Sequence, residues 1–161
     1  MTGNPKQHPD FYDTQVLVAM ADPNENKPDG SALVVDDEEY LGRTIGRILA
    51  SRLHFTHDKI VICTSVRDAI SKLQGGQSPS VIISDINMPD QTGDALYDHL
   101  KANSPQLIPR ALFMTGGGNG TGSLEAFIDK MGLRQKCIYK PFNMAEFAGR
   151  VSQILESQKQ D

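Results

Sequence analysis

The 161-residue chain is 39% apolar and 22% charged, with a formal net charge of −4, the balance of an ordinary globular protein able to bury a core. That balance excludes the basic face of a nucleic-acid-binding domain, and no apolar run approaches the roughly 18 residues needed to span a bilayer. The N-terminus also lacks the basic-then-apolar layout of a signal peptide, so the chain is expected to be cytoplasmic, with neither nucleic acid nor membrane among its partners.

Residues 1–30 hold two lysines against five acids and carry Pro5, Pro9, Pro23 and Pro28. Such a composition cannot supply a core and reads as a flexible N-terminal extension. One patch interrupts it: Phe11 to Met20, "FYDTQVLVAM", is apolar enough for an added strand or a short helix but fits neither period well.

From Ser31 onward, short β-branched runs alternate with helical patterns five times, the mark of a parallel sheet covered on both faces. The first strand, Ala32–Val35, leads into a helix over Glu38–Leu53 with Leu41, Ile45, Ile48 and Leu49 on one stripe and Arg43 and Arg47 opposite. Gly42 and Gly46 lie beside that stripe, where they permit close packing. The second strand, Lys59–Thr64, precedes a helix capped by Ser65, with Ala69, Ile70 and Leu73 inward. The third, Val81–Ser84, is followed after Gly93 by a helix with Ala95, Leu96 and Leu100 apolar. The fourth, Ala111–Met114, gives way to a glycine-rich stretch, Gly116 to Gly122, and a helix over Ser123–Met131. That stretch is expected to be a mobile connector, since no Gly-Lys-Ser/Thr follows to make it a phosphate loop. The fifth strand, Lys136–Tyr139, leads to a helix capped by Asn143 with Glu146 three residues on, whose core stripe is Met144, Phe147, Val151, Ile154 and Leu155.

The expected fold is therefore α/β: a (βα)5 flavodoxin-like, doubly wound parallel sheet of strand order 2-1-3-4-5. The domain would occupy residues 31–158, leaving 159–161 as a tail. Strands 2 and 5 become opposite edges, so Cys63 and Cys137 cannot bridge and are expected as reduced, buried thiols. His54 and His57 lack a third ligand and are expected as surface histidines.

Doubly wound sheets place ligands beyond the carboxyl ends of the strands. Asp36 and Asp37 follow strand 1, Asp85 closes strand 3, Thr115 closes strand 4 and Lys140-Pro141 follows strand 5. Converging carboxylates repel one another by about 1 kcal/mol per pair in water at 4 Å and several-fold more at lower dielectric, so a cation belongs among them. Oxygen-only ligands point to Mg2+ rather than zinc. A hydroxyl at Thr115 and an ammonium at Lys140 suit phosphate oxygens held around a carboxylate nucleophile.

On the segments "LVVDDEE", "VIISDINMPDQTGDAL", "LFMTGG" and "YKPF", with spacings of 48, 30 and 25 residues between Asp37, Asp85, Thr115 and Lys140, the chain resembles the response-regulator receiver domains of two-component phosphorelays. The resemblance runs from about Ser31 to Gln158. It implies that Asp85 accepts a phosphoryl group from a phosphohistidine of a histidine kinase or histidine phosphotransfer protein. It implies Mg2+ bound directly by Asp37, with Asp36 assisting through water, Asp85 as a further metal residue and Asn87 adding its backbone carbonyl. Thr115 would hydrogen-bond the phosphoryl group and shift on phosphorylation, Lys140 would pair with the phosphorylated aspartate, and the Lys140-Pro141 bond would be cis. A small residue at Gly116 would leave the phosphoryl group open to a partner or to water.

Two departures from the family pattern follow. Cys137 stands three residues before the lysine, where many receivers carry a switch aromatic, and Tyr139 is the alternative aromatic, a pattern associated with receivers of hybrid histidine kinases. The chain is thus a stand-alone receiver, the receiver of a hybrid sensor kinase, or a degenerate receiver that binds partners without phosphorylation. No enzyme activity is implied beyond self-catalysed phosphoryl acceptance and slow autodephosphorylation. Only "ESQKQD" follows Leu155, so the response is expected to pass to an unknown output protein, or to a phosphorylation-dependent dimer, through the fourth helix, fifth strand and fifth helix. A flavin carrier on the same fold is disfavoured by the acidic loop after strand 1. An aspartyl-phosphate hydrolase would need a carboxylate where Asn87 stands.

Overall fold

The computed structural model describes residues 30–89, 93–116, 128–129 and 132–160. Among them, β1 (Ala32–Val35), β2 (Ile60–Cys63), β3 (Val81–Asp85), β4 (Ala111–Gly116) and β5 (Cys137–Lys140) form one sheet in the order β2-β1-β3-β4-β5. All neighbouring strands are parallel, so each connection must cross over. The helices α1 (Glu39–Leu53), α2 (Val66–Gln74), α3 (Gly93–Asn103) and α4 (Met144–Ser157) cover the sheet. This is the flavodoxin-like arrangement the alternating pattern predicts. The N-terminal extension, the glycine stretch beyond Gly116 and the predicted fourth helix lie outside the described residues, except that residues 128–129 are helical.

Alternation along each strand divides the core in two. Ala32, Val34, Ile83, Met114 and Ile138 face α1 and α4, where Ile45, Leu49, Phe147 and Val151 meet them. Leu33, Val35, Ile82 and Phe113 face α2 and α3, packing on Ala69, Leu96 and Leu100. Ring contacts add to both layers: Tyr97 meets Phe113 edge-on with centroids 6.2 Å apart, and Phe142 stacks on Phe147 at 5.5 Å.

The predicted caps form. Ser65 Oγ accepts from the Asp68 amide at 3.1 Å, and Asn143 Oδ1 accepts from the Glu146 amide at 2.7 Å. Helix α1 ends at His54 in the left-handed region, φ 59°, and His57 opens a short 3-10 turn into β2. Cys63 and Cys137 are buried on opposite edge strands, and burial pushes the Cys63 thiol up to about 12.

The last helix corrects one expectation. Phe147 and Val151 are fully buried, and Ile154 and Leu155 pack partly against the core, but Met144 is 55% exposed. It is the first residue of α4, and helical side chains lean toward the N-terminus, so Met144 projects past the carboxyl edge of the sheet instead of onto it.

Candidate functional site

Register decides which side chains share the carboxyl edge. Val35 aligns with Cys63 on one side and Ser84 on the other, Asp85 aligns with Met114, Thr115 with Tyr139, and Gly116 with Lys140. The residue after Val35 is Asp36, whose amide still donates to Cys63 O at 3.0 Å. The chain then turns: Asp36 Oδ1 accepts from the Glu38 amide at 2.9 Å, which anchors the carboxylate and starts α1 one residue later. Asp85 is held alike, its Oδ1 accepting from the Asn87 amide at 2.8 Å.

Asp36, Asp37 and Asp85 each offer an oxygen within 4.8 Å of the others. Asp36 is fully buried, Asp85 is 5% exposed and Asp37 is exposed. Burial holds the Asp36 carboxyl above its ordinary range, with the nearby Asp85 charge adding to the effect, against the pull of the Glu38 amide and Lys140. Lys140 reaches into this cluster. Its Nζ lies 2.6 Å from Asp85 Oδ2 and 3.5 Å from Asp36 Oδ2. Burial disfavours the ammonium, but the hydrogen bond and charge of Asp85, then those of Asp36, outweigh it and hold Lys140 raised. The Lys140-Pro141 peptide is cis.

Thr115 is buried at the end of β4, 1% exposed. Gly116 follows it without steric demand, since a Cβ there would lie 3.9 Å from Asn87 Nδ2. Tyr139 is 40% exposed beside Lys140, while Cys137 is fully buried in the α2/α3 layer. All the sequence-predicted site residues therefore gather at one end of one sheet. His54 and His57 stand apart from the carboxylate cluster.

The cluster fits a hard divalent cation. Three carboxylate oxygens, two from buried groups, with one ammonium beside them leave an excess of negative charge that an oxygen-coordinated Mg2+ would neutralise. An open cleft of about 390 Å3 adjoins it, lined by Asp37, Thr64, Ser65, Val66, Arg67, Met88 and Pro89. Apart from Asp37 and the Ser65 cap, this wall was not singled out from sequence. Its signal was the strand order itself, which seats the loop after β2 beside the loop after β1.

A family model described as response regulator receiver domain matches residues 32–152. No curated protein matches the sequence. Among solved structures, a response regulator receiver domain protein from Clostridium thermocellum is 18% identical with a TM-score of 0.66, covering 81% of this chain and 98% of its own. The apo receiver domain of nitrogen regulatory protein C is 26% identical, TM-score 0.63, with 82% and 98% covered. The beryllofluoride-activated NtrC4 receiver domain dimer is also 26% identical, TM-score 0.63, with 79% and 97% covered.

Proposed function

Since the chain belongs to the response regulator receiver domain family, we propose that it is a phosphoacceptor signalling domain in which Asp85 takes a phosphoryl group from a phosphohistidine. The observation that carries this reading is Lys140 Nζ at 2.6 Å from Asp85 Oδ2, inside a cluster of three carboxylates.

Asp85 is the nucleophile. One of its oxygens forms a bond to phosphorus in line with the breaking P–N bond, whose electron pair stays on the imidazole nitrogen. An ionised carboxylate needs no general base, so the chain's work is positioning and charge neutralisation. The Asn87 amide fixes the Asp85 carboxylate. Lys140 offsets charge on the transferred group, and the Thr115 hydroxyl donates a hydrogen bond to one of its oxygens. Asp36, Asp37 and Asp85, with the Asn87 carbonyl, are the groups that would hold Mg2+, which when bound supplies further neutralisation of the phosphoryl oxygens. Gly116 leaves that group accessible from the outer side.

The donor is a histidine kinase or histidine phosphotransfer protein. With Cys137 in the usual aromatic position, Tyr139 is the residue that reports the change, being exposed, next to Lys140 and in register with Thr115. The output is read by protein contact through β5 and α4 together with the predicted fourth helix, including a phosphorylation-dependent dimer of the kind named for the NtrC4 receiver domain.

The test is intact mass after incubation with a small phosphodonor and Mg2+. One alkali-labile phosphoryl group is expected on the wild-type chain and none on Asp85→Asn. An addition that survives Asp85→Asn overturns the assignment.

A further inference from the structure

The open cleft of about 390 Å3 beside the carboxylate cluster falls in the size range of small-ligand sites. Val66 and Met88 both belong to the core layer under α2 and α3, which puts the cleft on that side of the carboxyl edge. Thr64 to Arg67, where β2 gives way to α2, line it from one strand end, and Met88 and Pro89 line it from the loop after β3. Asp37 follows β1, which lies between those two strands, and completes the lining. One of its oxygens is within 4.8 Å of an Asp85 oxygen, so a molecule held in the cleft is a few ångströms from the nucleophile.

The lining joins one anion, an apolar surface and one cation. Val66, Met88 and Pro89 supply the apolar part. Arg67 is exposed and makes no ion pair or hydrogen bond among the described residues. The positions one turn from it on either side, Cys63, Thr64, Ile70 and Ser71, carry no acid, and the adjacent Asp68 does not share its face of the helix. A guanidinium is always charged, and its planar fork matches a carboxylate. Asp37 opposes an incoming anion, but a divalent cation in the cluster would neutralise it, leaving Arg67 to set the sign of the cleft.

We propose, on the reading of Asp85 as phosphoacceptor, that this cleft is a leaving-group site for small acyl phosphates whose acyl group carries a second carboxylate. Arg67 binds that distal carboxylate, and Val66, Met88 and Pro89 cover the hydrocarbon between the two carboxyl groups. In the step, an Asp85 oxygen bonds to phosphorus as the bond from phosphorus to the acyl oxygen breaks. The electron pair of the broken bond leaves on the released carboxylate, so no proton moves.

The test compares benzoyl phosphate with 4-carboxybenzoyl phosphate on the full chain at saturating Mg2+, read by intact mass, with phosphoramidate as a donor that leaves the cleft empty. At equal subsaturating concentrations, wild type should gain its phosphoryl group about tenfold faster from the carboxylated donor, the discrimination expected of one charge-assisted pair. Arg67→Gln should bring that ratio near one, and Arg67→Lys should keep part of it. In parallel, NMR follows the Val66 and Met88 amides during titration with the unreactive terephthalate or benzoate. Terephthalate should shift both amides saturably, and more tightly than benzoate, in wild type but not in Arg67→Gln. Equal rates from the two acyl phosphates overturn the leaving-group site, as do terephthalate shifts that are absent or that Arg67→Gln leaves intact. So does labelling by phosphoramidate but by neither acyl phosphate. Labelling by none of the donors overturns the phosphoacceptor reading itself.

Discussion

Replacing Lys140 with methionine keeps the stem of the side chain and deletes the ammonium that faces the three carboxylates. Its Nζ is 2.6 Å from Asp85 Oδ2 and 3.5 Å from Asp36 Oδ2. At an effective dielectric near 20 these attractions amount to about 6 and about 5 kcal/mol. Desolvation of an ammonium on a side chain 22% exposed offsets several kcal/mol of that. The expected net loss in metal-free protein is about 3 kcal/mol, since two buried carboxylates are left without their cation. With a urea slope of about 2 kcal/mol per molar, the unfolding midpoint should fall by about 1.5 M. The ammonium also competes with any metal for the same oxygens, so Lys140→Met should raise Mg2+ affinity by about tenfold or more. Far-ultraviolet circular dichroism is the suitable readout, because the chain has no tryptophan. In EDTA the variant should unfold well below wild type, and saturating Mg2+ should narrow the gap. A variant as stable as wild type in EDTA, or a gap indifferent to Mg2+, refutes the charge balance described for the site.

The two glycines of α1 should respond differently to substitution. A Cβ at Gly46 would meet Ile60 Cγ2 at 3.5 Å, an ordinary contact, so Gly46→Ala should stabilise by about 0.5–1 kcal/mol through helix propensity. At Gly42 the same atom would lie 3.0 Å from Ile62 Cγ2, and the branched Gly42→Val should destabilise by about 2 kcal/mol; thermal melts of the pair decide, and a shared sign contradicts the packing. Phe147→Ala removes a fully buried ring stacked on Phe142 and should cost about 3–5 kcal/mol in urea unfolding. The Cys63 thiol, held at about 12 against an ordinary 9.0, should resist a thiol reagent at pH 8 until urea unfolds the chain. Because the folded state keeps that proton longer, stability from this group is complete below about pH 9 and is lost progressively between pH 9 and about 12. Rapid labelling of native protein at pH 8 would show the thiol is not buried.

Much of the fold was legible because apolar periodicity reflects burial directly. Ala32–Val35 was bounded without error, and the Ser65 and Asn143 caps marked the starts of α2 and α4 correctly. The limits came where a residue's neighbours are remote in sequence. Met144 has the spacing of a core residue, yet the sheet ends beneath it. Strand ends also shifted, β3 reaching Asp85 and β4 reaching Gly116, because pairing with neighbouring strands extends a ladder past the last apolar residue. Tyr97 carried no signal as the edge-on partner of Phe113, since that contact joins a helix to a strand across the sheet face.

Residue type and order, taken alone, marked the groups that gather at the carboxyl edge: two acids after β1, one at the end of β3, a hydroxyl on β4 and a lysine that closes β5. Strand order then implied that they meet. Tertiary structure alone decided how they meet. Asp36 is fully buried while its neighbour Asp37 is exposed, a difference invisible in an Asp-Asp pair, because only the turn held by the Glu38 amide sends one side chain inward. Lys140 lies closer to Asp85 than to Asp36, and its charge is set by the balance between burial and those two carboxylates. Such a balance depends on distances of a few ångströms between segments about 50 to 100 residues apart, which only the packed sheet supplies.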